Sequence, residues 1–202
     1  MIRSMTMILI SGILSLTTAQ SGSIINTLGS GGLYSIKNSG SSTLFSVSEA
    51  TGMLTLSNCL TLQTTSSLNT GVMYKGSNRF IHDYTAANTN GNNTFVGINS
   101  GNFTMFMLTT NAAEASYNTG VGYKSLSGLS SGYCNTAVGS NALENAGHAS
   151  FNTAFGYGAL QTVGTNINHT FNVGIGSEAG KDLRSNFCTI VGASAGNDAW
   201  YT

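Results

Sequence analysis

Between Asn93 and Gly196 a five-residue phrase recurs six times, and this repetition limits the possible folds more than any other property of the chain. It reads Asn93-Thr94-Phe95-Val96-Gly97, Asn118-Thr119-Gly120-Val121-Gly122, Asn135-Thr136-Ala137-Val138-Gly139, Asn152-Thr153-Ala154-Phe155-Gly156, Asn172-Val173-Gly174-Ile175-Gly176 and Cys188-Thr189-Ile190-Val191-Gly192. The closing glycines, Gly97, Gly122, Gly139, Gly156, Gly176 and Gly192, step by 25, 17, 17, 20 and 16 residues. A period of that size means one supersecondary unit stacked on itself, not a domain assembled from distinct parts.

A strand period of two puts Thr136 and Val138 on one face and Ala137 on the other. The position before the glycine holds Val96, Val121, Val138, Phe155, Ile175 and Val191, all bulky β-formers, so this column is expected to form the repeat core. Glycine directly afterwards suits a corner of positive φ, or a point where the backbone of the next coil passes too close for a Cβ. Three residues further on come Ser125-Leu126, Ala142-Leu143, Ala159-Leu160, Ala179-Gly180 and Ala195-Gly196, whose small first members are expected to turn inward on a narrow side.

Just ahead of each phrase stand Asn92, Tyr117, Cys134, Phe151, Phe171 and Phe187, four of them aromatic. Stacked coils would align Tyr117, Phe151, Phe171 and Phe187 about 4.8 Å apart as a ladder. Such a ladder either packs between chains or caps the interior of one chain. Association is the more economical reading, because soluble monomers avoid long exposed apolar stripes.

Composition removes several function classes. Charged residues are 7% of the 202 and the net charge is zero, so there is no basic face for nucleic acid and no acidic array for calcium. Glycine reaches 26 residues while proline is absent, as a closely stacked backbone requires. His82, His148 and His169 are isolated from carboxylates, except in the dipeptide His82-Asp83, which reads as a surface turn. Gly120-Val121-Gly122 lacks the third glycine and the strand-helix context of a dinucleotide site. The expectation is therefore no enzyme, no cofactor and no metal. Cys59, Cys134 and Cys188 have neither metal-ligand spacing nor the density of a disulfide scaffold, and read as small hydrophobes. A threonine column at Thr94, Thr119, Thr136, Thr153 and Thr189, broken by Val173, is a weak ice-binding pattern because each repeat has only one threonine in this slot.

The phrases Asn135-Thr136-Ala137-Val138-Gly139-Ser140-Asn141-Ala142-Leu143 and Asn152-Thr153-Ala154-Phe155-Gly156-Tyr157-Gly158-Ala159-Leu160 resemble the head repeats of trimeric autotransporter adhesins, and equally the repeats of trimeric phage or viral tail-fibre proteins. The matching pattern is a small residue, an aliphatic residue, glycine, two variable residues, then serine or alanine. The resemblance covers roughly residues 90 to 196. It implies an all-β fold, a left-handed parallel β-roll or β-solenoid of about six coils, in which three chains associate. It also implies a secreted or cell-surface adhesin head, or a virion fibre, that binds an extracellular-matrix protein or glycan. The alternative is a structural spacer with no receptor site of its own. The loops Ser127 to Tyr133, Glu144 to Ser150 and Gln161 to Thr170 would display the binding groups. The 25-residue step from Gly97 to Gly122 departs from the pattern and requires an insertion around Thr104 to Ser116.

The expected organisation has three parts: a secretory signal peptide at 1–19, an irregular β lead-in at 20–90, and the repeat head at 91–202. Arg3, the apolar run from Met5 to Leu16 and the small residues Thr17-Thr18-Ala19 carry the first of these expectations. No stretch of the mature chain is apolar and long enough to span a bilayer as a helix. In the lead-in, Leu44 to Ser48 and Met53 to Leu56 read as a hairpin joined by Glu49-Ala50-Thr51-Gly52. The expectation is that no heptad stalk, anchor barrel or chaperone domain accompanies the repeats, and that the chain is a truncated gene product or a module that is secreted or assembled onto another structure.

Overall fold

A computed structural model of the chain describes residues 33–37, 43–48, 53–56, 60–68, 70–163 and 169–197. The expected signal segment at 1–19, the turn at 49–52 and Cys59 lie outside the described residues. The chain divides into two compact units, Met1–Leu60 and Thr61–Thr202. Among the described residues it is all-β, with no helix.

The first unit holds an antiparallel sheet of β1 (Leu33–Lys37), β2 (Thr43–Ser48) and β3 (Leu54–Leu56), in that order. The expected hairpin is β2 with β3, in the register Phe45 to Leu56 and Val47 to Leu54, and Ser48 N–H donates to the Met53 carbonyl at 3.0 Å. Strand β1 falls in a Gly/Ser-rich stretch where alternation is too weak to read.

The second unit is a β-solenoid. A short hairpin, β4 (Met73–Lys75) and β5 (Asn78–His82), leads into six parallel strands: β6 (Thr94–Val96), β7 (Thr119–Val121), β8 (Thr136–Val138), β9 (Thr153–Phe155), β10 (Val173–Ile175) and β11 (Thr189–Val191). All eight belong to one sheet in chain order, and β5 meets β6 antiparallel, with His82 opposite Phe95. Each parallel pair is in register with the repeat, so Thr119 faces Thr136 and Val121 faces Val138. The narrow side stacks as well: Leu126 N–H donates to the Ala142 carbonyl, Leu143 to Ala159 and Leu160 to Ala179. Proline would remove such a donor at almost any position.

Six-copy periodicity identifies the strands, but the expected assignment of their faces is overturned. Val121, Phe155, Ile175 and Val191 are exposed, and Val96 and Val138 are half-buried, so the pre-glycine column points out of the solenoid. The inward residue is the one before it: Phe95, Gly120, Ala137, Ala154, Gly174 or Ile190. A period of two leaves both faces open, and the asparagine decides between them. Asn93, Asn118, Asn135, Asn152 and Asn172 are buried, and each lies two residues before the inward position. Enclosing the amide column therefore turns Ala inward and Val outward.

The asparagines form a continuous ladder. Asn135 N–H and Nδ2 donate to Asn118 Oδ1 at 3.1 and 3.0 Å, and Asn152 N–H and Nδ2 donate to Asn135 Oδ1 at 3.0 and 3.2 Å. The Nδ2 group also reaches a turn carbonyl of its own or the following rung: Gly132 for Asn118, Ala149 for Asn135 and His169 for Asn152. At the sixth copy Cys188 N–H donates to Asn172 Oδ1 at 3.0 Å, and the amide column stops.

Core volume is conserved within five of the six rungs by a second rule. Six residues after the inward strand position stands a residue of complementary size: Phe95 with Gly101, Gly120 with Leu126, Ala137 with Leu143, Ala154 with Leu160 and Ile190 with Gly196. Leu126, Leu143 and Leu160 are completely buried. A Cβ on Gly174 would lie 2.7 Å from Leu160 Cγ, and one on Gly196 would lie 2.9 Å from Ile190 Cδ1. Gly174 and Gly180 are small together, and Leu160 and Ile190 fill their rung from the two sides. Native packing density thus requires the pair, not either residue alone.

Each pre-strand corner and each closing glycine has positive φ. The glycines lie at φ 127 to 135°, and a Cβ on Gly122 would sit 2.5 Å from the Gly139 carbonyl oxygen. Both physical reasons for glycine, the backbone angle and the approach of the next rung, hold at this position.

His82 is buried, contrary to its reading as a surface turn. Its Nε2–H donates to the Ser100 carbonyl at 2.9 Å and its Nδ1 accepts from Tyr84 N–H at 3.2 Å, while the ring lies against Phe95 and Phe103. A second proton would displace the Tyr84 donor. Burial, the largest cause, lowers its pKa to about 4. The unfolded chain, with an ordinary histidine near pH 6.5, then binds more protons between those limits. Stability present in full above pH ~6.5 is expected to fall as pH drops toward ~4, by at most about 1.4 kcal/mol per pH unit. Urea midpoints measured across this range should slope more steeply for the natural chain than for His82→Gln; equal slopes would reject the account.

Candidate functional site

The outward face of the parallel strands is the first candidate. Residues of one parity, such as Phe151, Thr153 and Phe155, emerge from it, so the ladder, threonine and pre-glycine columns run side by side. Thr94, Thr136, Thr153 and Thr189 are exposed along it. Phe155 is 58% and Val191 65% exposed, values that place them among the most accessible apolar side chains of the repeat. Tyr123 and Tyr157, one residue after the glycine, widen the apolar area.

The ladder rings do stack, on the outside. Phe151 and Phe171 are 4.8 Å apart with planes 4° from parallel, and Phe171 and Phe187 are 5.1 Å apart at the same angle. Tyr133 places its edge on Phe151 at 5.1 Å. Capping of the interior by these rings is excluded for the single chain, since Tyr117, Phe151, Phe171 and Phe187 are all exposed. Their backbones lie at φ 58 to 61°, a left-handed conformation that is costly for a bulky side chain. Asparagine or glycine would occupy these corners at lower cost, so the rings are held there against local preference.

Beside the ladder lies a cleft of about 360 Å³. One wall is the insertion expected around Thr104 to Ser116. It is tied to the rungs by Phe106 N–H donating to the Ser130 carbonyl and Ala115 N–H to that of Ser131, with Met105 buried beneath. Glu114 folds back within it, accepting from Leu108 N–H, from Thr109 N–H at 2.9 Å and from Thr109 Oγ1 at 2.7 Å. Burial would raise its carboxyl pKa, but these hydrogen bonds outweigh burial and hold it below the ordinary range, so the group is a carboxylate at neutral pH. His148 also lines the cleft, with Nδ1 2.5 Å from Ser131 Oγ and 3.2 Å from Ser130 Oγ, and the Phe106 ring meets it at nearly a right angle.

Among the described residues no three His, Cys, Asp or Glu side chains gather where they could hold a metal ion. Cys134 and Cys188 carry free thiols, and burial pushes that of Cys134 up. No described helix is long and apolar enough to cross a membrane. Sequence reasoning missed the cleft because its walls come from an insertion and from turns in different repeats. It also missed the asparagine ladder, whose signal was present as the same residue in five of six copies.

These features define a β-solenoid repeat protein with an apolar outer sheet face and one flanking cleft. Comparisons with protein-family models, curated proteins and solved structures return no match to the chain.

Proposed function

We propose that this chain is a non-enzymatic head module of a cell-surface or virion fibre, a left-handed β-roll of about six coils. It associates as a homotrimer and binds an extracellular-matrix protein or glycan. One observation carries the reading: an outward apolar column in register over all six parallel strands, with Val121, Phe155, Ile175 and Val191 exposed and Val96 and Val138 half-buried. A face of that length, flat and uncharged, suits an interface with copies of itself better than contact with water. The column is more continuous than the ladder, which Asn92 and Cys134 interrupt, and it fits the interchain contact better. The repeat resemblance supports the number three and the adhesive role.

A structural spacer is the second reading, favoured by the loop at 144–150. Glu144 there is occupied by Gln161 Nε2 at 2.7 Å and Lys124 at 3.6 Å, which leaves fewer polar groups for a receptor.

Light scattering on the full chain is expected to give three times the chain mass. Phe155→Asp with Ile175→Asp should reduce it to the monomer mass with an unchanged far-ultraviolet circular dichroism spectrum, because charges in the column would be desolvated only between chains. A monomeric natural chain would sink the trimer. Matrix-protein and glycan arrays separate the adhesive reading from the spacer, for which no array member should bind.

A further inference from the structure

From the cleft beside the ladder we infer a binding site for a neutral saccharide, which rests on the recognition half of the proposed function and names where recognition occurs. The cleft's volume of about 360 Å³ lies within the range of small-ligand sites. Its lining divides by chemistry. Glu114, Ser131 and His148 supply acceptors and donors, while Phe151 and Phe171 supply apolar surface. A sugar has the same division, with hydroxyls around its ring edge and a patch of C–H groups on its face.

Charge selects among hydroxylated ligands. Among the described residues no Lys or Arg lines the cleft, and the Glu114 carboxylate lies in it. A phosphate, sulfate or sialic acid would therefore meet the Glu114 charge with no Lys or Arg to offset it. Three neutral donors already occupy Glu114, and its remaining lone pair is open to a hydroxyl.

The polar groups are positioned before any ligand arrives. With Nδ1 bound by the serine hydroxyls, the His148 imidazole presents Nε2, which makes no hydrogen bond among the described residues. Phe106 holds the ring from the side. The Phe151 and Phe171 rings are held by stacking on each other, so less side-chain freedom is lost on binding.

The test uses the full natural chain on an array of neutral, sialylated and sulfated oligosaccharides. Saturation-transfer NMR with the strongest neutral binder then compares the natural chain with Phe171→Ala and His148→Ala. Binding of a neutral glycan that weakens about 10-fold in each variant, with unchanged melting temperature, is the expected result. Should Phe171→Ala disturb the ladder, His148→Ala decides alone, since its ring is not part of the ladder. The site is overturned if no glycan binds, if only acidic glycans bind, or if both variants bind as the natural chain does. Light scattering on the same samples and a matrix-protein array keep the two readings apart. A trimer that binds matrix protein but no sugar retains the proposed function without this site, whereas a monomer that binds a neutral sugar through His148 retains the site without the trimer.

Discussion

Gly122→Ala is expected to unfold most of the solenoid, whereas Gly192→Ala, the same change in the same repeat slot, is expected to leave it folded. At Gly122 an added Cβ would lie 2.5 Å from the Gly139 carbonyl oxygen and 2.7 Å from its carbon. Both are backbone atoms, so no rotamer change can make room. The rungs would have to separate beyond their spacing of about 4.8 Å, which breaks ladder hydrogen bonds on both sides. We expect a loss above ~4 kcal/mol, a large part of a typical folding stability of roughly 5–15 kcal/mol. At Gly192 the nearest atom would be Ala195 Cβ at 3.5 Å, an ordinary contact, although φ is +127°. There the backbone angle alone opposes alanine, at about 1–3 kcal/mol. Urea unfolding of both variants separates the two reasons for glycine. Equal losses would show that backbone angle, and not the approach of the next rung, excludes a side chain.

Asn135→Ala is expected to have the second largest effect, by leaving buried polar groups without partners on both sides of one rung. Its Oδ1 accepts from Asn152 N–H at 3.0 Å, and its Nδ2 donates to the Ala149 carbonyl at 2.8 Å. Truncation orphans that N–H and that carbonyl in a region closed to water. Each orphan costs about 1–3 kcal/mol, so the loss is about 2–6 kcal/mol. For a domain of this size that corresponds to a fall of roughly 5–20 °C in melting temperature. Asn135→Asp tests the same ladder differently. It keeps an acceptor for Asn152 but places a charge beside Asn118 Oδ1, and it should recover stability as pH falls and the carboxyl protonates. Melting curves at pH 7 and pH 4 read this directly, against the natural chain at each pH. Equal pH responses in the two chains would mean that the amide column does not carry the stacking.

Position 188 shows how far the ladder rule extends. Cysteine there joins the ladder from below by donating its backbone N–H to Asn172 Oδ1, but its side chain offers only a weak contact to the Asn186 carbonyl at 3.5 Å. The column therefore needs asparagine where a rung must pass the interaction onward. A cysteine in this slot reads from sequence as a neutral replacement. In the structure it marks the place where the amide chain ends.

The repeated phrase by itself located β6 to β11 and their parallel register, because a fixed spacing leaves stacking as the simplest arrangement of identical units. The glycine slots were legible for a similar reason: few other residues serve a corner of positive φ beneath another backbone. The hairpin at Phe45 to Leu56 was legible from its alternation. What the pattern could not reveal was which side of the strand is inside. Val138 and Ala137 satisfy a period of two equally well, and hydrophobicity alone favours the wrong one. Only when the rungs are stacked does Asn135 find partners above and below, and the enclosure of that amide column puts Ala137 inward and Val138 outward. The complementary pairs six residues apart, such as Phe95 with Gly101, are likewise meaningful only once both residues are seen to share one interior. The cleft was the least legible feature. Glu114, His148 and Phe171 are brought together by the folding of an insertion over turns far apart in sequence, and no local spacing encodes that meeting. Sequence alone thus determined that the chain stacks, since periodicity is a local property copied along the chain. Tertiary structure alone decided what faces the core, what lies exposed on the outer sheet face and where the cleft opens, because each depends on contacts between rungs.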